Sequence, residues 1–251
     1  MNFEQYQFVA IIWIALAILI FILLLYVNAP YGRHAKTNWG PLINNRLGWF
    51  IMEFFLLIVL PYFLFTGSNH QSPVNLLIVG LLVFHYFYRS LVFPFRIKTK
   101  GKKMPLIIAI MGMGFNLVNG FFFGYFLGNF HVYDQNWLTT PNFIFGFFIF
   151  IFGMGVNWHS DNILIGLRKE NDIGYKIPFG GLFRFVSCPN LLGEIIEWLG
   201  FAILSWSLPG LAFFVWTFAN LVPRAIAHHN WYLQKFPDYP KHRKAIFPGI
   251  L

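Results

Sequence analysis

Charged side chains are scarce in this 251-residue chain: 11% of positions are Asp, Glu, Lys or Arg, and only nine are acidic. A soluble domain carries roughly 25% charged residues, so a water-soluble globule and a disordered chain are both excluded. Cys188 is the single cysteine, which rules out an intramolecular disulfide and leaves the redox compartment open. Neither HExxH nor GxSxG occurs, so the zincin helix and the serine nucleophile elbow are absent. The eight histidines are scattered, with only His228 and His229 adjacent; a membrane metal oxygenase needs them clustered, and no metal centre is expected. Gly112-Met113-Gly114 and Gly153-Met154-Gly155 are GxG fragments in apolar surroundings. No Rossmann domain follows from them, and they read as close-packing residues of membrane helices.

What the chain has is apolar bulk. Hydrophobic residues make up 57%, and 33 positions are Phe. Residues 8–27 form an uninterrupted apolar run, long enough to cross the ~30 Å hydrocarbon core as a helix. Glu4 and no Lys or Arg precede it, which argues against a signal peptide. Six further apolar segments follow at 47–65, 74–95, 104–127, 142–156, 191–206 and 208–223. When the connecting loops are numbered alternately, one set receives every one of the 18 Lys and Arg except Arg89, which falls near the inner end of the third segment; the other set receives none. By the positive-inside rule this predicts an all-α integral membrane protein of seven transmembrane helices, N-terminus outside and C-terminus cytosolic. It forms one domain over 1–251. The net charge of +9 is then topological, and neither nucleic acid nor an obligate protein partner is expected. The membrane would be the inner one in a bacterium, the endoplasmic reticulum in a eukaryote. Beyond 223 a helical extension to about 236 and an irregular end are predicted.

Several polar residues sit where lipid-spanning segments should be apolar. Glu53, Glu194 and Glu197 lie inside them and Asp161 just beyond one; such groups are costly and usually mark a functional interior. Around Glu53, desolvation disfavours the charged form, leaving a carboxylic acid able to donate a hydrogen bond. Helical spacing groups other residues into stripes: Asn157, Asp161 and Arg168; Asn190, Glu194 and Glu197; Arg224, His228 and Tyr232. All three fall at the predicted cytosolic end, which suggests a hydrated ligand cavity there. Tyr86, beside His85 and Arg89, offers a phenol as a donor to a developing oxyanion.

Certain strings resemble a known family. They are Gly153-Met154-Gly155-Val156-Asn157-Trp158-His159-Ser160-Asp161, Tyr175-Lys176-Ile177-Pro178-Phe179-Gly180-Gly181-Leu182-Phe183, Asn190-Leu191-Leu192-Gly193-Glu194-Ile195-Ile196-Glu197-Trp198 and Asp238-Tyr239-Pro240-Lys241. The chain resembles the steroid 5α-reductases, or 3-oxo-5α-steroid 4-dehydrogenases, most strongly over about 105–251, as a bacterial or otherwise non-vertebrate member. The resemblance implies a seven-helix NADPH enzyme that reduces the 4,5 double bond of 3-oxo-Δ4 steroids. It implies cofactor contacts from Asn157, Asp161, Arg168, Tyr175, Lys176, Asn190, Glu194, His228 and Tyr232, and that Glu53 and Tyr86 hold the 3-oxo group. Met52 stands where vertebrate members often have Gln, which puts the substrate preference in question.

The chemistry is consistent with the residues. Hydride adds to the β-carbon of an enone and charge collects on the carbonyl oxygen, where Glu53 and Tyr86 would donate. Arg168, Lys176 and the cluster at 100–103, Lys102 included, would neutralise the cofactor's phosphates. Trp49, Phe50 and Trp198 would form an aromatic wall for a flat apolar substrate arriving from membrane lipid. The rival readings are a reductase of another lipid enone or enoyl substrate, a membrane lipid methyltransferase, and a proton-coupled transporter using Glu53 and Glu194.

Overall fold

The computed structural model describes residues 1–27, 32–34, 38–69, 72–98, 101–167 and 174–251. His70, Lys36, Lys100, Arg168 and Lys169 lie outside them. The described chain is mostly helix: α1 (Phe3–Tyr26), α2 (Asn45–Phe54), α3 (Leu56–Phe65), α4 (Pro73–Phe87), α5 (Phe93–Arg96), α6 (Leu106–Asn129), α7 (Pro141–Gly166), α8 (Pro189–Ser205) and α9 (Leu208–Lys235), with strands β1 (Leu42–Asn44) and β2 (Lys103–Pro105). Among the described residues six stretches are long and apolar enough to cross a bilayer: Phe3–Tyr26, Asn45–Phe65, Pro73–Arg96, Leu106–Asn129, Pro141–Gly166 and Leu208–Lys235. The chain is therefore a multi-pass, mostly helical membrane protein in build. The remaining apolar segment is α8, whose 17 residues stand at the short limit of about 17 for a span. The segment expected at 142–156 is only part of a 26-residue helix; Asn157, Ser160 and Asp161 continue it because all three turn inward and are buried.

The chain divides into two compact units, 1–10 with 30–144, and 11–29 with 145–251. In the first, α3 packs along α6 through Gly120, Gly124 and Gly128. A Cβ on Gly124 would stand 2.4 Å from the Leu60 carbonyl oxygen, and one on Gly128 2.6 Å from that of Phe63. Small residues at every fourth position let two backbones meet where lipid supplies no hydrophobic drive. β1 pairs antiparallel with β2, Ile43 opposite Met104, and so ties the start of α2 to the start of α6. At the other end Asn75, fully buried, donates from Nδ2 to the carbonyls of Leu127 (3.0 Å) and His131 (2.8 Å) and accepts from the Tyr133 amide (3.0 Å). It is a core residue that satisfies a loop's backbone.

In the second unit α7 and α8 cross on glycines. A Cβ on Gly193 would lie 2.4 Å from the Asn157 amide nitrogen, and one on Gly200 2.3 Å from that of Phe150. Gly112, by contrast, faces the Met52 side chain, and Gly114 and Gly155 have open space, so only part of the two GxG fragments serves backbone packing. The end of the chain folds back as a strap. Lys244 bridges Val186, Ile246 sinks among Cys188, Leu192 and Val222, and Arg243 donates to the Pro178 carbonyl at 2.9 Å with its guanidinium 4.9 Å from the Phe179 ring centre.

Candidate active site

Glu53 lies in the last turn of α2, just before the helix is interrupted at Phe55. Carbonyls in a last turn lack intrahelical partners, and Asn116 of α6 supplies one: its Nδ2 donates to the Met52 oxygen at 2.6 Å. The same amide nitrogen donates to Glu53 Oε2 at 3.2 Å. Asn116 Oδ1 in turn accepts from the Tyr86 hydroxyl at 2.8 Å. One buried amide therefore joins the two residues predicted to hold a ketone. The amide orientation follows from chemistry: the opposite one would set Oδ1 against the Met52 carbonyl and leave two acceptors face to face.

Tyr86 is placed by the end of α4 and a π-helical turn over Tyr88–Val92. Pro94 has no N–H to give the carbonyl four residues back; the chain widens, and the Phe93 amide reaches the Tyr88 carbonyl instead. Ser90 Oγ donates to the Tyr86 carbonyl at 2.6 Å. Such turns often occur at functional sites. The buried Arg89 guanidinium lies 5.0 Å from the Trp49 ring centre and 4.5 Å from that of Phe93. Trp49 is one turn before Glu53 on the same face of α2, and Phe50 stacks on Phe54. Lys102 precedes β2, its carbonyl accepting from the Asn45 amide at 3.1 Å.

The polar stripes of the second unit meet across the glycine crossing. Asn157 Nδ2 donates to the Asn190 carbonyl at 2.9 Å, and Asn190 Nδ2 donates to Asp161 Oδ1 at 3.1 Å. Asn157 is 1% exposed, and its Oδ1 meets no donor among the described residues. Glu194 is half-buried one turn beyond Asn190, and Glu197 is fully buried. A second group gathers at the end of α9. Tyr232 is buried and stacks on Tyr239 (centroids 5.0 Å apart, planes at 8°), while Tyr175 meets Trp231 edge-on. Ser187 Oγ sits 2.6 Å from both His229 Nδ1 and Tyr239 Oη. His228 is half-buried on α9 and Lys176 exposed. Arg168 is outside the described residues. Trp198, expected in an aromatic wall, is 1% exposed and packed among Phe150, Phe201 and Phe213; its placement is that of a core residue. Among the described residues no three His, Cys, Asp or Glu gather in a way that would hold a metal ion.

Asn116 is the site residue that the sequence reading passed over. A lone Asn inside the apolar run 104–127 is the same kind of signal as Glu53.

Fold and networks together define a polytopic membrane protein with buried polar clusters in each of its two units. A family model described as 3-oxo-5-alpha-steroid 4-dehydrogenase matches residues 102–251, and the chain belongs to that family, which makes it an oxidoreductase acting on CH–CH bonds. It is 45% identical over 233 residues to steroid 5-alpha-reductase DET2 of Gossypium hirsutum, covering 90% of each chain. It is 40% identical over 249 residues to the DET2 of Solanum lycopersicum, covering 98% of this chain and 96% of that one. It is also 41% identical over 226 residues to 3-oxo-5-alpha-steroid 4-dehydrogenase 1 of Homo sapiens, covering 89% and 86%.

Proposed function

We propose that this enzyme uses NADPH to reduce the 4,5 double bond of a 3-oxo-Δ4 steroid that reaches it from the membrane. The observation that supports this reading is the common partner of Glu53 and Tyr86: both bond to Asn116, at 3.2 and 2.8 Å, which makes carboxyl and phenol neighbours of one buried amide. When hydride adds to the β-carbon, the double-bond electrons move toward the carbonyl and the 3-oxygen takes negative charge as an enolate. Glu53, as the neutral acid, and Tyr86 donate to that oxygen. Each such donor contributes roughly 10²–10³ in rate. A proton then adds at the α-carbon, so one hydride and one proton convert C=C to CH–CH. Trp49 beside Arg89 gives a flat apolar skeleton a surface to lie on.

NADPH supplies the hydride when bound. The residues of the second unit fit such a group. Asn157 Oδ1 is a buried acceptor open to a donor, and Asp161 and Asn190 present a carboxylate and an amide, suited to carboxamide and ribose hydroxyl groups. Tyr232, Tyr175 and His228 add stacking and donor surface, Glu194 a carboxylate, and Lys176 positive charge for phosphates. Seven spans, with the N-terminus outside and the basic loops cytosolic, would open these residues to the compartment that holds the cofactor.

The test is NADPH oxidation in mild detergent with testosterone, progesterone and an unconjugated sterol, products identified by mass spectrometry. A 5α-dihydro product from the enones alone, lost in Glu53→Gln, is expected. NADPH binding without turnover of either enone would move the substrate to another lipid, and no NADPH binding would overturn the reading.

A further inference from the structure

We propose that Asn116 is a positioning residue that holds the Glu53 carboxyl and the Tyr86 phenol together as one donor pair; this rests on the reduction proposed above. An amide in the middle of a membrane helix is costly to bury unless its bonds are made. Asn116 is 3% exposed and makes three: its Nδ2 donates to the Met52 carbonyl and to Glu53 Oε2, and its Oδ1 accepts from the Tyr86 hydroxyl. Relieving the end of α2 requires only the first. The other two run to the residues that would meet the substrate.

The pattern also sorts the protons. Because Nδ2 donates to Oε2, that oxygen acts as the acceptor, and the proton of a neutral Glu53 resides on Oε1. The carboxyl is thereby set with one oxygen anchored and the other as donor. The phenol proton has a fixed resting acceptor in Oδ1, which keeps the hydroxyl from turning elsewhere before a ketone oxygen arrives. Orientation of this kind, made in advance, is what lets donors act on a transition state without reorganising.

The experiment compares wild type with Asn116→Leu and Asn116→Asp, each near the original in size, and with Glu53→Gln and the double variant Glu53→Gln/Asn116→Leu. Asp keeps the acceptor for Tyr86 and loses the donor to Oε2. Leu should lower kcat by about 10–100-fold, the usual effect of removing an orienting partner, with NADPH affinity within twofold of wild type. In the Glu53→Gln background the same change should cost less than about threefold, because residues acting as a unit are non-additive. Infrared difference spectra, with the Glu53 band assigned through Glu53→Gln, should show its carboxyl C=O stretch moving up when the Nδ2 donor is lost, in Leu and Asp alike. That readout needs no turnover, so it judges Asn116 even if the enzyme reduces no steroid. An unmoved Glu53 band, or an equal rate loss with and without Glu53, would overturn the proposal. Should Leu fail to bind NADPH, Asp carries the test.

Discussion

Gly153 of α7 lies so near Glu197 of α8 that a Cβ on the glycine would stand 2.2 Å from the Glu197 amide nitrogen. One turn further along α7, Asn157 meets Gly193 just as closely. This approach brings Asn157 and Asp161 within hydrogen-bond reach of Asn190. Helix packing and the polar network are therefore one arrangement.

Gly153→Ala should drive the helices apart. Overpacking of this kind costs about 1–3 kcal/mol, read as a fall in Tm together with weaker NADPH binding. Gly155→Ala, two residues on with nothing within 4 Å, should leave both unchanged. Equal effects from the two would refute the close crossing.

Tyr86→Phe keeps the ring and removes the hydroxyl. Single-turnover enone reduction should slow by roughly 10²–10³, while fluorescence titration gives an unchanged NADPH Kd. A variant with wild-type rate would remove Tyr86 from the chemistry.

Asn190→Leu breaks the bond to Asp161 but leaves the Asn190 backbone carbonyl to Asn157. NADPH affinity should fall at least tenfold, about 1.4 kcal/mol, with kcat at saturating cofactor close to wild type. Fluorescence of the bound nicotinamide measures it; undiminished affinity would place the cofactor elsewhere.

His131, in the loop after α6, stacks on Phe126 and meets Tyr133 edge-on. Burial holds its imidazole below the ordinary histidine range. The unfolded chain then binds this proton more readily than the folded one, so the contribution to stability is full above about pH 6.5 and is lost as pH falls toward the folded value. Melting curves from pH 7.5 to 5 should decline less for His131→Phe, which keeps the ring stack, than for wild type. Parallel declines would exclude the effect.

The helices were legible because lipid demands length and apolarity, and each apolar segment coincides with helical structure. The breaks inside them were not. The run 47–65 is two helices parted at Phe55, and 74–95 hides the π turn over Tyr88–Val92, because a change in winding leaves hydrophobicity untouched. The β1–β2 ribbon sits in loops where three residues carry no pattern. Asn157, Asp161 and Asn190 were found by helical spacing within each helix, but their meeting depends on glycines of two helices distant in sequence. That Trp198, expected in an aromatic wall, is buried among Phe150, Phe201 and Phe213 is a tertiary fact that composition does not carry.

The π turn has a consequence for length variation along this helix. It holds one residue more than a regular α-helix would need over the same stretch. Losing one residue of Tyr88–Val92 would let the stretch rewind as regular α-helix without turning what lies beyond it, because the extra residue is taken up within the turn itself. Tyr86, on the near side, would keep its place against Asn116, and Phe93, on the far side, would keep the Trp49 ring it now meets at 5.5 Å. A single-residue deletion there would thus alter only the turn itself, the buried Arg89 and Ser90 included, and leave the helix on both sides in register.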